Sequence, residues 1–277
     1  LPICYSDAYM VNWKSNVFPG ILGRTCDRPC EPACRRGRVE EEPVAICRLK
    51  RVAADNKDDV SALMPKPAAV GNGRRIALVG AGPASMTVAR DLAPLGYQVV
   101  VYDGEAKAGG FIRSQIPRFR LPESVIDEEI GYITALGPEM RLGQKVDSLK
   151  GLLDEGYDAV FVGSGAPRGR DLDLPGRKEA AANIHLGIDW LSSVSFEHVT
   201  SIGRRVIVLG GGNTAMDCCR TSRRLGADDV KVIVRSGFDE MKASPWEKED
   251  AIHEDIPILN FLVPKEFTHD GGKLTGV

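Results

Sequence analysis

Cys26-Asp-Arg-Pro-Cys30-Glu-Pro-Ala-Cys34 sets three thiols four residues apart, and Cys47 follows thirteen residues later. Pro29 and Pro32 keep one regular helix from running through the segment. Thiolates that converge on one point suit zinc or an iron–sulfur cluster. Zinc sites favour paired Cys knuckles, whereas a run of three with a distant fourth is closer to cluster ligation. Disulfides and plain structural thiols are the other readings. Cys26, Cys30, Cys34 and Cys47 are therefore the candidate ligands of a 4Fe-4S cluster. Arg24, Arg28, Arg35, Arg36, Arg38, Arg48, Lys50 and Arg51 surround them and would offset a thiolate-ligated cluster's negative charge; a solvated face balanced by Glu40, Glu41 and Glu42 is the plainer account.

Two glycine turns carry the second kind of chemistry. Gly80-Ala-Gly82-Pro83-Ala84-Ser85 follows an apolar run and opens a helical stretch. In a dinucleotide fingerprint the first glycine permits the turn, and the second lets a pyrophosphate approach backbone N–H groups at a helix N-terminus. The third position needs only a small residue. Asp103, 23 residues beyond Gly80, stands where a carboxylate takes the adenosine ribose hydroxyls. The second turn, Gly210-Gly-Gly212-Asn213-Thr214-Ala215, has the same setting, but its second strand ends in Val234-Arg235-Ser236. Arg in place of the acid favours a 2′-phosphate, hence NADP over NAD. Asp217 reads as a first-turn acid favoured by the helix dipole. Two such units imply two nucleotides, and a flavin paired with a nicotinamide is the economical combination.

Other reactive residues read as bland. Cys218 and Cys219 are adjacent on a helix, face different directions and are expected to be buried structural thiols. His185, His198, His253 and His269 are scattered without ligand spacing. No Cys-x-x-Cys is present for disulfide reduction beside a flavin.

The elements that must hold these residues follow from the pattern. Arg75–Val79, Gln98–Tyr102, Asp158–Val162, Arg205–Leu209 and Val230–Val234 are short continuous apolar runs, the mark of buried parallel strands. Helical stretches run from each glycine turn to Leu95 and Leu225, with Gly96 and Gly226 as stops. Ahead of them, 7–13 and 44–54 read as helical, and a Pro/Gly linker over 61–73 marks a boundary. The expected organisation is α/β, with two Rossmann-like nucleotide-binding domains preceded by a small α-helical iron–sulfur domain: residues 1–72, 73–199 and 200–277. The 277 residues are 43% apolar with a net charge of −2, which removes the electrostatic reason to seek nucleic acid or an anionic membrane. No run approaches the ~18 apolar residues of a membrane span. Glycine, 30 residues, is the compositional outlier. Leu1 is not an initiator Met, so a signal peptide cannot be assessed from this chain.

Asn16-Val-Phe-Pro19, Gly23-Arg-Thr-Cys26 with the thiol run, Gly80–Ser85, Ala108-Gly-Gly-Phe-Ile112, Ile116–Pro122, Gly163-Ser-Gly-Ala166, Gly210–Asp217 and Met241-Lys-Ala243 occur in an order that resembles the glutamate synthase small-subunit family. That family includes the N-terminal half of dihydropyrimidine dehydrogenase. The resemblance implies an adrenodoxin-reductase- or glutathione-reductase-like pair of domains. FAD would lie on Gly80, Gly82, Pro83, Ala84, Asp103, Gly109, Gly110, Gly163 and Gly165, and NADP or NAD on Gly210, Gly212, Asn213, Thr214 and Arg235. It implies an NAD(P)H-dependent oxidoreductase module, cytoplasmic, passing electrons between NAD(P)H, FAD and 4Fe-4S clusters to or from a larger subunit or fused domain. The alternative is a non-catalytic nucleotide-binding scaffold. No catalytic acid, base or nucleophile is expected. Members carry further cysteines upstream of the run; Cys34 matches the cluster these complete, Cys26 and Cys30 match a second, and Lys50 stands where some relatives offer a polar ligand. By this motif order the chain reads as the interior of a longer one.

Overall fold

The computed structural model describes residues 4–277. The chain divides into two compact units: one formed by the chain up to Arg113 together with Arg118–Gly165, the other by Ser114–Pro117 with Ala166–Val277.

The first unit begins with a helical head. Helix α1 (Tyr5–Asn16) is followed by α2 (Pro19–Thr25), which starts on a proline whose missing N–H costs a helix start nothing. The cysteine run then passes through turns and one 3-10 turn at Arg35–Arg38, as its prolines require, before α3 (Ile46–Asn56). Tyr9, Trp13, Ala54, Val60 and Met64 form the head's core. Helices α2 and α3 approach to backbone contact: a Cβ on Gly23 would stand 2.7 Å from the Arg51 amide nitrogen.

The nucleotide half of this unit alternates strand and helix. In chain order it has β1 (Arg75–Val79), α4 (Pro83–Leu92), β2 (Gln98–Asp103), α5 (Phe111–Ser114), α6 (Glu123–Thr134), β3 (Glu139–Leu142), α7 (Leu149–Asp154) and β4 (Ala159–Val162). The four strands are parallel in the order β3-β2-β1-β4, with Ala77 opposite Val100 and Leu78 opposite Phe161. Ala77, Leu78 and Val100 have no exposed surface, which is why β1 and β2 are continuous apolar runs. Gly96, at φ +86°, ends the stretch after α4 as expected.

The second unit holds α8 (Gly187–Ser195), β5 (Arg205–Leu209), α9 (Asn213–Arg224), β6 (Asp229–Ile233), α10 (Pro245–His253) and β7 (Ile258–Leu259). Its parallel sheet has the order β5-β6-β7. An antiparallel pair, β8 (Thr268–Asp270) and β9 (Lys273–Gly276), closes the chain. Met216, Cys219, Val230, Val232 and Ile256 centre its core, and α8 packs on α9 through Trp190, Leu191 and Cys218. The second unit takes in 166–199, which the sequence pattern groups with the flavin half. Among the described residues no helix is long and apolar enough to cross a membrane.

Candidate nucleotide cradles and the cysteine head

The first cradle is made of backbone. β1 ends at Val79, Gly80 turns at φ +97°, and α4 starts with Gly82 as its N-cap and Pro83 at its first position. Around this turn lie the end of β4, where the Gly163 amide donates to Val79 O at 2.8 Å, and the loop Ala108–Gly110, where the Gly109 amide donates to Ala81 O at 2.9 Å. The space among them admits no side chain: a Cβ on Gly80 would stand 2.5 Å from the Gly163 carbonyl oxygen, and one on Gly110 2.7 Å from the Gly82 Cα. The first-turn amides of α4 lack intrahelical acceptors, and the buried Ser85 hydroxyl beside Gly163 has no hydrogen-bond partner. Gly165 lies just past this point at φ +68°, with no atom within 4 Å of its would-be Cβ. Asp103, at the end of β2, accepts the Ala81 amide on Oδ2 at 2.6 Å and the Glu105 amide on Oδ1 at 2.8 Å. It therefore braces the glycine turn itself. A glycine-lined turn at a helix N-terminus with an orphaned hydroxyl fits a nucleotide diphosphate.

The second cradle repeats the plan in the other unit. Gly210 donates its amide to Ile233 O at 3.0 Å, and Gly212, with no atom within 4 Å of its would-be Cβ, caps α9. Thr214 is exposed in the first turn. The Asn213 carbonyl oxygen accepts the Ser244 amide at 2.8 Å, so this side chain ties the turn to the start of α10. Asp217 departs from expectation: it sits beyond the first turn of α9 and is buried. Arg235, one residue past Val234, is exposed at the end of the second strand, as a 2′-phosphate contact requires.

Two residues of these cradles, and Glu129 outside them, are not marked by the fingerprint. Gly211 packs under Val234 and Met241, with its would-be Cβ 2.9 Å from Val234 Cγ1, and its carbonyl accepts the Ala243 amide at 2.9 Å. Arg113, 3% exposed, donates to Ala108 O at 2.5 Å and to Glu123 and Asp127 of α6 at 2.7 and 2.6 Å. Glu129, two residues past Asp127 on α6, is 1% exposed. The only sequence signal for Arg113 is its place directly after Ala108–Ile112, and a charge on an amphipathic helix such as Glu129 reads as solvated.

The four candidate thiols of the head stand in different local settings, and among the described residues no three His, Cys, Asp or Glu side chains are grouped as metal ligands. Cys47 lies on the buried face of α3 and its thiol points into α2, 3.4 Å from Leu22 O and Gly23 O. Burial pushes that thiol up; nearby Lys50 and Arg28 pull it down and Cys26 adds to the rise. Cys34 sits at the start of the 3-10 turn, where the Val44, Arg36 and Gly37 amides hold its thiol below the ordinary range. Cys30 is exposed, and all seven cysteines are free thiols. Cys218 and Cys219 are buried as expected, and burial raises both, Cys219 to about 12.

Comparison with known proteins finds two family matches along the chain. Residues 4–61 match the family described as dihydropyrimidine dehydrogenase domain II, 4Fe-4S cluster. The NADP(+)-dependent formate dehydrogenase subunit beta of Moorella thermoacetica is 34% identical over 99% of this chain and 42% of its own length. The glutamate synthase [NADPH] small chain of Azospirillum brasilense is 32% identical over 95% of this chain and 58% of its own. The chain thus spans about half the length of these relatives. A Lactococcus lactis thioredoxin reductase structure covers 73% of this chain and 69% of its own, with a TM-score of 0.54 at 19% identity, which shows the fold. Residues 74–277, carrying both cradles, match the pyridine nucleotide-disulphide oxidoreductase family, and the chain belongs to that family, preceded by a head of the 4Fe-4S domain type.

Proposed function

We propose that this chain is the nicotinamide- and flavin-binding part of an electron-transfer subunit that exchanges electrons between NAD(P)H and a larger redox partner, in the manner of the glutamate synthase small chain. The observation that carries the reading is the repetition of one backbone device: a parallel strand, a glycine turn and a helix N-terminus, once in each unit. FAD, when bound, accepts a hydride from a nicotinamide and releases electrons singly, which suits a two-electron donor and a one-electron acceptor.

The residues bind and orient. The amides that open α4 receive the flavin diphosphate; Gly80, Gly82, Pro83 and Ala84 let it approach, Asp103 takes a ribose hydroxyl, and Gly109, Gly110, Gly163 and Gly165 close the cradle. Gly210, Gly212, Asn213 and Thr214 do the same for the nicotinamide dinucleotide, with Arg235 set to meet a 2′-phosphate. The organisation proposed is a head over 1–72, a flavin domain over 73–199 and a nicotinamide domain from 200. A reducing compartment, the cytoplasm, suits seven free thiols.

Anaerobic titration tests the reading. The purified chain reconstituted with FAD shows a flavin band that NADPH bleaches. A chain that binds neither FAD nor NAD(P)H would instead be a scaffold, and the proposal would fall.

A further inference from the structure

We propose that Glu129 is the positioning residue that docks the cysteine head onto the nucleotide half of its unit, and that helix α6 carries the attachments of both the head and the glycine cradle. Glu129 belongs to α6 of the nucleotide half, yet the three groups that donate to it belong to the head. They are the Tyr9 hydroxyl at 2.9 Å, the Gly20 amide at 2.7 Å and the Ile21 amide at 3.0 Å. Gly20 and Ile21 are in the first turn of α2, where amides lack intrahelical acceptors and a carboxylate is favoured. Gly20 makes room for it: a Cβ there would come 3.1 Å from Glu129 Oε1 and 3.2 Å from Val125.

From this grip α2 runs about 10 Å, at ~1.5 Å per residue, to Cys26, its C-cap. The Cys47 thiol bonds the same helix at Leu22 and Gly23. Holding one end of α2 therefore sets both thiols at the other. Near its start, α6 also holds Arg113 through Glu123 and Asp127, and Arg113 in turn holds the Ala108 carbonyl of the cradle loop. Two further ties run alongside. Arg90 of α4 donates to Trp13 O at 2.7 Å, and Lys57 pairs with Glu128 at 2.7 Å.

A carboxyl suits this place because even when protonated it turns only one O–H toward the three donors. Its two oxygens meet three donors, whereas a Gln amide would turn two N–H groups against one of them. A buried carboxylate is a poor source of net stability compared with apolar packing; here it supplies one orientation. Only the consequence for electron transfer rests on the flavin reading of the cradle.

Hydrogen–deuterium exchange on the full chain, wild type against Glu129→Gln and Tyr9→Phe, tests the docking. Glu129→Gln speeds exchange at least tenfold over 19–26, with 75–79 and 98–103 unchanged and FAD binding unchanged. Tyr9→Phe gives a smaller rise in the same segment and decides the matter if Glu129→Gln does not fold. The pH profile separates a carboxylate latch from plain packing. The groups facing Glu129 are Tyr9 from α1, Glu128 and Tyr132 on α6, and Lys57 and Asp59 beyond α3. Protection of 19–26 in the wild type declines as pH rises from 5 to 7.5, and Glu129→Gln removes the decline. Unchanged protection over 19–26 in both variants, or an equal loss over 75–79, would overturn the proposal. A chain that fails to bind FAD but shows the localised exchange loses the electron-transfer reading and keeps the docking.

Discussion

Gly82 and Gly110 meet backbone against backbone, so that a β-carbon on Gly110 would stand 2.7 Å from the Gly82 Cα. Gly110 is also at φ +54°, where an L side chain is strained. Gly110→Ala therefore pushes the cradle loop off α4 and costs at least tenfold in FAD affinity, read from the flavin absorbance retained on purification. Gly212 is the opposite case. Its Cβ direction is open and its φ is −101°, so Gly212→Ala leaves the melting temperature unchanged. It weakens the nicotinamide dinucleotide alone, because the added methyl occupies the space expected for the diphosphate. Equal effects of Gly212→Ala on both nucleotides would contradict the assignment.

The thiols are expected to differ in reactivity. Three amides lower the Cys34 thiol from the usual range, and burial raises Cys47, Cys218 and Cys219. Since the thiolate is the nucleophile, iodoacetamide at pH 7.5 modifies Cys34 in the metal-free chain. Cys218 and Cys219 stay unmodified until denaturant is added. Mass spectrometry of tryptic peptides reads the order, and early labelling of Cys218 would contradict the packing of α8 on α9.

Much of this was legible in the residues. β1 and β5 occupy the expected segments, β2 runs one residue longer and β6 is shifted by one residue, because parallel strands are written as short unbroken apolar runs. The glycine turns were legible because a positive φ and a close backbone approach demand one residue type. The placement of the cysteine quartet was less legible. Spacing counts residues but does not say which face of α3 Cys47 takes, and that face is set by burial against α2. Glu129 and Arg113 were illegible for a related reason: their side-chain partners lie 10 to 120 residues away, and nothing local marks a charge as buried.

Arg235 stands exposed just past the strand end, with no ion-pair partner among the described residues. It is therefore free to meet a 2′-phosphate, and a charge-assisted contact of this kind is worth about 1.5 kcal/mol, roughly tenfold in affinity. Arg235→Ala weakens NADPH about tenfold and leaves NADH within twofold, measured by equilibrium binding to the FAD-loaded chain. Equal loss for both nucleotides would remove the NADP preference.

Stability should depend on pH through Glu129. Burial pushes its carboxyl up to about 7, although the Ile21 and Gly20 amides and the Tyr9 hydroxyl pull it down. The folded form therefore binds a proton more tightly than the unfolded chain, and stability falls as pH rises from about 4.5 to 7. The decline is on the order of 3 kcal/mol by the free energy of a pKa shift. Asp59, Asp158 and Asp171 are lowered by hydrogen bonds and contribute in the opposite sense, their stabilisation fading only as pH falls through their depressed values. Urea unfolding at pH 5 and pH 8 reads the difference, and Glu129→Gln flattens it. A wild type more stable at pH 8 than at pH 5 would contradict the assignment.

The second unit has its own buried charge. Arg220 of α9, 7% exposed, meets Glu247 at 3.1 Å, Asp250 at 3.0 Å and Glu254 at 2.9 Å, all on or just past α10. Glu247 is 4% exposed, so removing the guanidinium takes a close counter-charge from a buried carboxylate. Breaking such a pair from one side costs about 3–5 kcal/mol, whereas replacing both partners by apolar groups of similar volume is often neutral. Arg220→Met therefore destabilises the second unit by that amount and frees α10, which carries the Ser244 amide that Asn213 holds. Nicotinamide binding weakens with it. The double replacement Arg220→Met with Glu247→Leu recovers most of the stability, because no charge is left without its partner in the core. If the double variant is no more stable than Arg220→Met alone, the cluster acts through hydrogen bonds to Asp250 and Glu254 rather than through the buried pair, and denaturant midpoints for the three proteins decide between them.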